Sequence, residues 1–118
     1  MLNIRIKIEN DEYFLKMSGH CGFDEEGKDI VCAAASILCL SLCNLLENSE
    51  NKLRESAKIT VKKGFSEIVF HPKMEYSKEL AGAFNTIETG LRLLDENYPE
   101  NVSIITQNNQ SKSSDSEF

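Results

Sequence analysis

The fold is decided by a stretch that reads GHCGFDEEGKDIVCAAASILCLSLCNLLEN over residues 19–48. Its second half is the longest apolar segment of the chain, which predicts a central core helix. Asp29 is a favourable N-cap, because its carboxylate can accept hydrogen bonds from the free amides of the first helical turn. The helix is predicted to run to about residue 47 or 48, with apolar residues on nearly every side. A sheet can cover one side, so a second helix or a second subunit is expected to cover the rest.

The segments around this stretch show the periodicity of strands and of a second helix. Strands are predicted at residues 2–9, 13–18, 57–62, 65–70 and 101–106, and a second helix at 77–97. The order ββαββαβ predicts an α+β fold, in which a largely antiparallel sheet packs against two helices. We expect a single domain over residues 1–106 and a disordered polar tail over 107–118.

The composition limits the classes of partner. A chain of 118 residues is long enough for one hydrophobic core. Its formal net charge is −6, so binding to nucleic acid through phosphate neutralisation is not expected. Such a surface could instead attract a basic partner.

The cysteines and the N-terminal residues predict a cytoplasmic protein. Residues 1–5 alternate in polarity at once, without the apolar segment of a secretory signal. The four cysteines are therefore expected to be thiols rather than disulfides. The segment 30–46 is slightly shorter than the ~20 apolar residues that a membrane span needs, and it contains Ser36, Ser41 and Asn44. A buried core helix fits it better, so no membrane contact is expected.

Cys32 and His20 are the main candidates for chemistry. Cys32 would be the third residue of the helix, where free amides and the helix dipole favour a thiolate. His20 closes the second strand, and the glycine-containing loop could fold it back over the helix start as the base. Each residue also has a purely structural interpretation: Cys32 as a small core residue and His20 as a surface histidine in a polar loop.

Other residues near this pair leave alternatives open. Asp29 could cap the helix or orient the imidazole of His20. Ser36, one turn after Cys32, could hydrogen-bond within the site or to the preceding carbonyl. Cys21 is a weaker nucleophile candidate. It is adjacent to His20, and neighbouring residues on an extended segment point to opposite sides.

The helix cysteines are candidate metal ligands by residue type. Cys32 and Cys39 are separated by about 10 Å along a straight helix, at about 1.5 Å per residue. Because zinc–sulfur bonds are near 2.3 Å, these two cannot share an ion. Core packing is therefore expected for Cys39 and Cys43, and neither a metal nor another cofactor is predicted.

The motif around His20 and Cys32 resembles the signature of the ribosomal-processing cysteine proteases, the Prp family. The resemblance rests on Gly19-His20-x-Gly22, a charged glycine-containing loop, and Gly27-Lys28-Asp29-Ile30-Val31-Cys32-Ala33-Ala34-x-Ser36. It extends through the order of elements to about residue 106.

The resemblance implies a cysteine endopeptidase, a bacterial cytoplasmic enzyme, with a Cys-His dyad. In this family Cys32 would be the nucleophile and His20 the base, while Gly19, Asp29 and Ser36 match other positions of the active-site motif. The implied substrate is the precursor of a large-subunit ribosomal protein, from which a short N-terminal extension is removed. The resemblance also implies a homodimer. The alternative is a non-catalytic ribosome-assembly module that binds through the acidic surface.

Two features depart from the family pattern. The residue after the histidine is usually small and unreactive, whereas here it is Cys21, and a thiol beside the base would make the site more prone to oxidation. The tail from Gln107 onwards is also not part of the pattern.

Overall fold

The computed structural model describes residues 1–108 and has the predicted ββαββαβ order of an α+β fold. The strands are β1 (Leu2–Glu9), β2 (Glu12–Gly19), β3 (Lys58–Lys62), β4 (Phe65–Phe70) and β5 (Val102–Asn108), and the helices are α1 (Ile30–Glu47) and α2 (Ser77–Asn97). Short 3-10 turns at Glu50–Lys52 and Met74–Tyr76 were not predicted. Of the predicted tail, Gln107 and Asn108 belong to β5, and residues 109–118 lie outside the described residues.

The five strands form one sheet in the order β3-β4-β2-β1-β5. Every neighbouring pair is antiparallel except β1 and β5, which run parallel with Leu2 opposite Val102. The prediction of a largely antiparallel sheet is therefore confirmed. Alternate residues of the strands are buried, as in the β1 triplet Leu2, Ile4 and Ile6. One face of the sheet therefore forms the core and the other faces solvent.

The two helices complete the core. Tyr13 of β2 stacks on Phe70 of β4 at 5.0 Å between ring centroids, and Phe84 of α2 meets both rings edge-on. The helices also approach each other closely, because a Cβ added at Gly90 of α2 would lie 2.9 Å from the Leu38 side chain of α1. The second helix thus covers part of α1, as expected.

Part of α1 remains uncovered. Six of its eighteen residues are buried, whereas the apolar residues Ile30, Ile37, Leu40 and Leu45 are exposed. The helix is long and apolar enough to cross a membrane by length and composition alone. Core helices of soluble proteins meet the same criterion, and the buried residues of α1 belong to the same hydrophobic cluster as those of the sheet.

Candidate functional site

The site forms where β2 ends and α1 begins, and Gly19 fixes its geometry. Gly19 has a φ of +99°, and an added Cβ would lie 2.5 Å from the carbonyl oxygen of Met1, so only glycine fits. Its N–H donates a 3.0 Å hydrogen bond to the carbonyl of Gly64 in the turn between β3 and β4. This bond holds that turn beside His20, the residue that follows Gly19.

A cleft of about 740 Å³ opens between this turn and the start of α1. All five predicted site residues line it: Gly19, His20, Asp29, Cys32 and Ser36. His20 is exposed, and Cys32 is half-buried. The structure therefore brings the predicted nucleophile and the predicted base to one solvent-accessible cleft. The catalytic roles themselves remain predictions.

Asp29 is the N-cap of α1, as predicted, and it also holds the preceding loop. Its Oδ1 accepts the N–H of Cys32 at 2.9 Å, while Oδ2 accepts the N–H groups of Phe23 at 2.9 Å and Asp24 at 3.3 Å. Burial alone would raise the pKa of Asp29, but these backbone hydrogen bonds outweigh it and lower the pKa. Of its two predicted roles, capping is the one that these contacts support.

The same cap uses amide groups of the first helical turn. The N–H of Cys32 donates to the Asp29 carboxylate, and the N–H of Ala33 donates to the Asp29 carbonyl at 3.0 Å. These two amides are therefore not free to stabilise an oxyanion in this conformation.

Cys21 lies close to Cys32 although it does not line the cleft as its neighbour His20 does. The Cys21 and Cys32 sulfurs and a carboxylate oxygen of Asp29 all lie within 4.8 Å of one another. The chain departs from an extended path because Gly19 and Gly22, on either side, have φ values of +99° and +70°. Burial, followed by a hydrogen bond with Cys32, raises the pKa of the Cys21 thiol to about 12. A buried, neutral thiol that does not line the cleft is a poor nucleophile for the carbonyl of a substrate peptide.

This triad has the spacing of a metal site. The spacing of the helix cysteines alone does not reveal it, because Cys21 lies on the loop before the helix. Both oxygens of Asp29 already accept backbone N–H groups, so a metal ion would have to compete with the helix cap. Cys39 and Cys43 are 2% and 6% exposed within the hydrophobic core, which confirms that they serve in packing.

The loop between β2 and α1 is also tied to elements that are distant in sequence. The Asn101 side chain donates a 3.0 Å hydrogen bond to the Cys21 carbonyl, and Phe23 contacts Tyr98 edge-on at 5.3 Å. Lys63, in the β3–β4 turn, pairs with Glu26 at 2.8 Å. No local sequence pattern predicts these contacts, because the two partners of each contact lie far apart in the chain.

Comparison with known proteins identifies the family. The family model of the cysteine protease Prp matches residues 1–103. A Mycoplasma genitalium protein, the ribosomal processing cysteine protease Prp, is 31% identical over 104 residues, which cover 84% of this chain and 93% of that protein.

Solved structures share the fold. One is the essential ribosomal processing protease Prp of S. aureus, in complex with a covalently linked product peptide. Its TM-score is 0.70 at 22% sequence identity, and the match covers 90% of this chain and 99% of that chain. SMU.848 from Streptococcus mutans has a TM-score of 0.68 at 25% identity, covering 92% of this chain and 95% of that protein. From the family match and the M. genitalium relative it follows that this chain belongs to the Prp family of ribosomal-processing cysteine proteases.

Proposed function

We propose that the protein uses a Cys32–His20 dyad to remove an N-terminal extension from the precursor of a large-subunit ribosomal protein. The observation that carries this proposal is the position of Cys32. It lies in the first turn of α1 on the wall of an open cleft that His20 also lines. A thiol at a helix N-terminus with an imidazole nearby is the arrangement of an activated cysteine nucleophile.

The reaction then follows the chemistry of cysteine peptidases. His20 takes the proton of the Cys32 thiol, and the sulfur attacks the scissile carbonyl carbon. His20 then donates that proton to the leaving amine. Water hydrolyses the resulting thioester and frees the enzyme. Asp29 supports these steps indirectly, because its bonds to the Cys32 amide and to the loop fix the position of Cys32 relative to the cleft.

The open shape and the charge of the molecule suit a basic peptide substrate. An extended N-terminal segment could enter between the β3–β4 turn and the start of α1. The net charge of −6 would raise the encounter rate with a basic ribosomal protein before its assembly. Cleavage is therefore expected to slow as salt concentration rises.

A cytoplasmic homodimer is part of the same proposal. The four free cysteines fit a reducing compartment. Ile30 and Ile37 are 61% and 60% exposed on α1, and a second copy would remove this apolar surface from water. No direct contact with nucleic acid or membrane is proposed.

Incubation with a precursor ribosomal protein tests the activity. Wild type and Cys21→Ala should release the N-terminal extension, whereas Cys32→Ala and His20→Ala should not, with cleavage followed by mass spectrometry. Circular dichroism would establish that all variants fold. Tight binding with an intact precursor in every sample would contradict the protease and favour the non-catalytic assembly module.

A further inference from the structure

We propose that Cys21 and Cys32 form a redox pair, in which a peroxide converts the two thiols into an intramolecular disulfide that blocks the nucleophile reversibly. The inference rests on the proposed function only for the role of Cys32. Its structural basis is independent of that role: the two sulfurs lie within 4.8 Å of each other.

The two cysteines differ in accessibility, which gives the oxidation an order. Cys32 is half-buried and lines the cleft, so a dissolved peroxide can reach its sulfur. Cys21 is 1% exposed and does not line the cleft. Peroxide therefore oxidises Cys32 first, and Cys21 reacts in the second step as the resolving thiol.

The chemistry balances with one molecule of hydrogen peroxide. The Cys32 thiol attacks one peroxide oxygen, the O–O bond breaks, and sulfenic acid and water form. The Cys21 sulfur then attacks the sulfenic sulfur, the S–O bond breaks, and the oxygen leaves as water with the Cys21 proton. Two thiols are oxidised to one disulfide, while peroxide is reduced to two waters. A dithiol such as dithiothreitol reverses the reaction by thiol–disulfide exchange.

The backbone on the Cys21 side can supply the movement that bond formation needs. A disulfide has an S–S distance of about 2.05 Å, so the sulfurs must approach each other. Gly22 follows Cys21 directly and has open space around it, and glycine tolerates the dihedral changes that such a shift requires. Cys32 is part of the regular helix α1, whereas the Cys21 carbonyl is held by a single hydrogen bond from Asn101, so the Cys21 side of the pair is the part that moves.

The pair would protect the nucleophile from irreversible damage. Without a nearby thiol, a sulfenic acid reacts with further peroxide to sulfinic acid, which thiol reductants do not reverse. The other cysteines cannot act as efficiently, because Cys39 and Cys43 lie further along α1 and are packed in the core.

Peroxide treatment followed by intact-mass measurement and peptide mapping tests the pair. Oxidised wild type should lose two hydrogens per chain, show a Cys21–Cys32 cross-linked peptide, and return to its original mass with dithiothreitol. Cys21→Ala should instead gain two oxygens at Cys32 and resist dithiothreitol. Cys43→Ala removes a buried thiol of the same helix and should behave as wild type.

The mass readout separates this proposal from the proposed function, because it needs no substrate. A wild-type chain that gains oxygens at Cys32 without a Cys21 cross-link would overturn the redox pair, whether or not the protein cleaves a precursor. Cross-linked wild type without any cleavage of precursor before oxidation would leave the pair intact and contradict the protease. If Cys21→Ala failed to fold, the cross-link in wild type would still decide the question.

Discussion

The imidazole of His20 lies against Gly64 in the β3–β4 turn. A Cβ at Gly64 would lie 3.2 Å from Nε2 of His20 and 3.5 Å from Cε1, and Gly64 has a φ of +76°. The β3–β4 turn therefore borders the ring of the proposed base. The positive φ of Gly64 favours glycine there, and any larger residue would press against the imidazole.

Gly64→Ala is expected to reduce activity through His20. The new methyl group would push the imidazole aside by a few tenths of an ångström. Because a misplacement of about 1 Å at a catalytic group can cost roughly 100-fold in rate, we expect a measurable loss that is smaller than this. The left-handed backbone should cost about 1–2 kcal/mol of stability. Peptidase kinetics and urea unfolding would measure the two effects.

Gly27→Ala is the matched control for this change. Gly27 also has a positive φ, +90°, but a Cβ there would meet nothing within 4 Å. The control should therefore lose similar stability and keep most of its activity. Equal loss of activity in both variants would mean that backbone strain, rather than the contact with His20, limits the reaction.

Asp29 should stabilise the start of α1 and the preceding loop separately. Asp29→Ala removes the cap and the loop contacts, and loss of an N-cap costs about 1 kcal/mol. Asp29→Asn can still accept the N–H of Cys32 through Oδ1, but its Nδ2 cannot accept those of Phe23 and Asp24. We expect a smaller loss of unfolding free energy for the asparagine variant in urea denaturation. An equal loss in the two variants would mean that the negative charge of Asp29, which both variants lack, contributes more than the capping hydrogen bond to Cys32.

The same carboxylate should make stability depend on pH. The pKa of Asp29 is lower in the folded protein than its ordinary value, so the unfolded chain binds the proton more readily. The resulting stabilisation is fully present above the unfolded pKa of about 3.9 and is lost as pH falls through the folded value. The stability gap between wild type and Asp29→Asn should therefore narrow in acid. A gap that stayed constant from neutral pH to acid would contradict this linkage.

The sequence predicted the elements well because their signals are local. The alternation from Leu2 to Ile8 and the cap at Asp29 depend on near neighbours, and the structure contains both. The parallel pairing of β1 with β5 had no such signal, since it joins segments about 100 residues apart.

The candidate site was predicted only in part, because some of its contacts join residues that are distant in sequence. His20 and Cys32 stand out by residue type and by their distance from the helix start. The contact between Cys21 and Cys32 depends on the dihedral angles of two glycines, which residue types permit but do not specify. Gly64 and Asn101 reach the site through the tertiary fold, so no pattern around residues 19–32 could have identified them.

Ile37→Glu should weaken the proposed homodimer. Ile37 is 60% exposed on the uncovered face of α1, and a carboxylate buried in an apolar interface without a partner is strongly unfavourable. Light scattering coupled to size exclusion should show a shift from dimer to monomer. Leu93→Glu, at a residue 53% exposed on α2, should leave the dimer unchanged. A wild-type protein that is monomeric across the measured concentrations would contradict the dimer.

Asn101→Ala should loosen the loop that carries Cys21. Its side chain donates the partly buried hydrogen bond to the Cys21 carbonyl, and such a bond contributes about 1 kcal/mol. Hydrogen exchange should therefore accelerate at the loop amides of residues 21–24 while the interior of α1 remains protected. Asn97→Ala is the control, because the Asn97 side chain bonds within its own helix to the Leu93 carbonyl at 2.7 Å. Faster exchange throughout α1 in the Asn101 variant would show that the bond supports the whole fold, because only a contact confined to the loop leaves the helix unaffected.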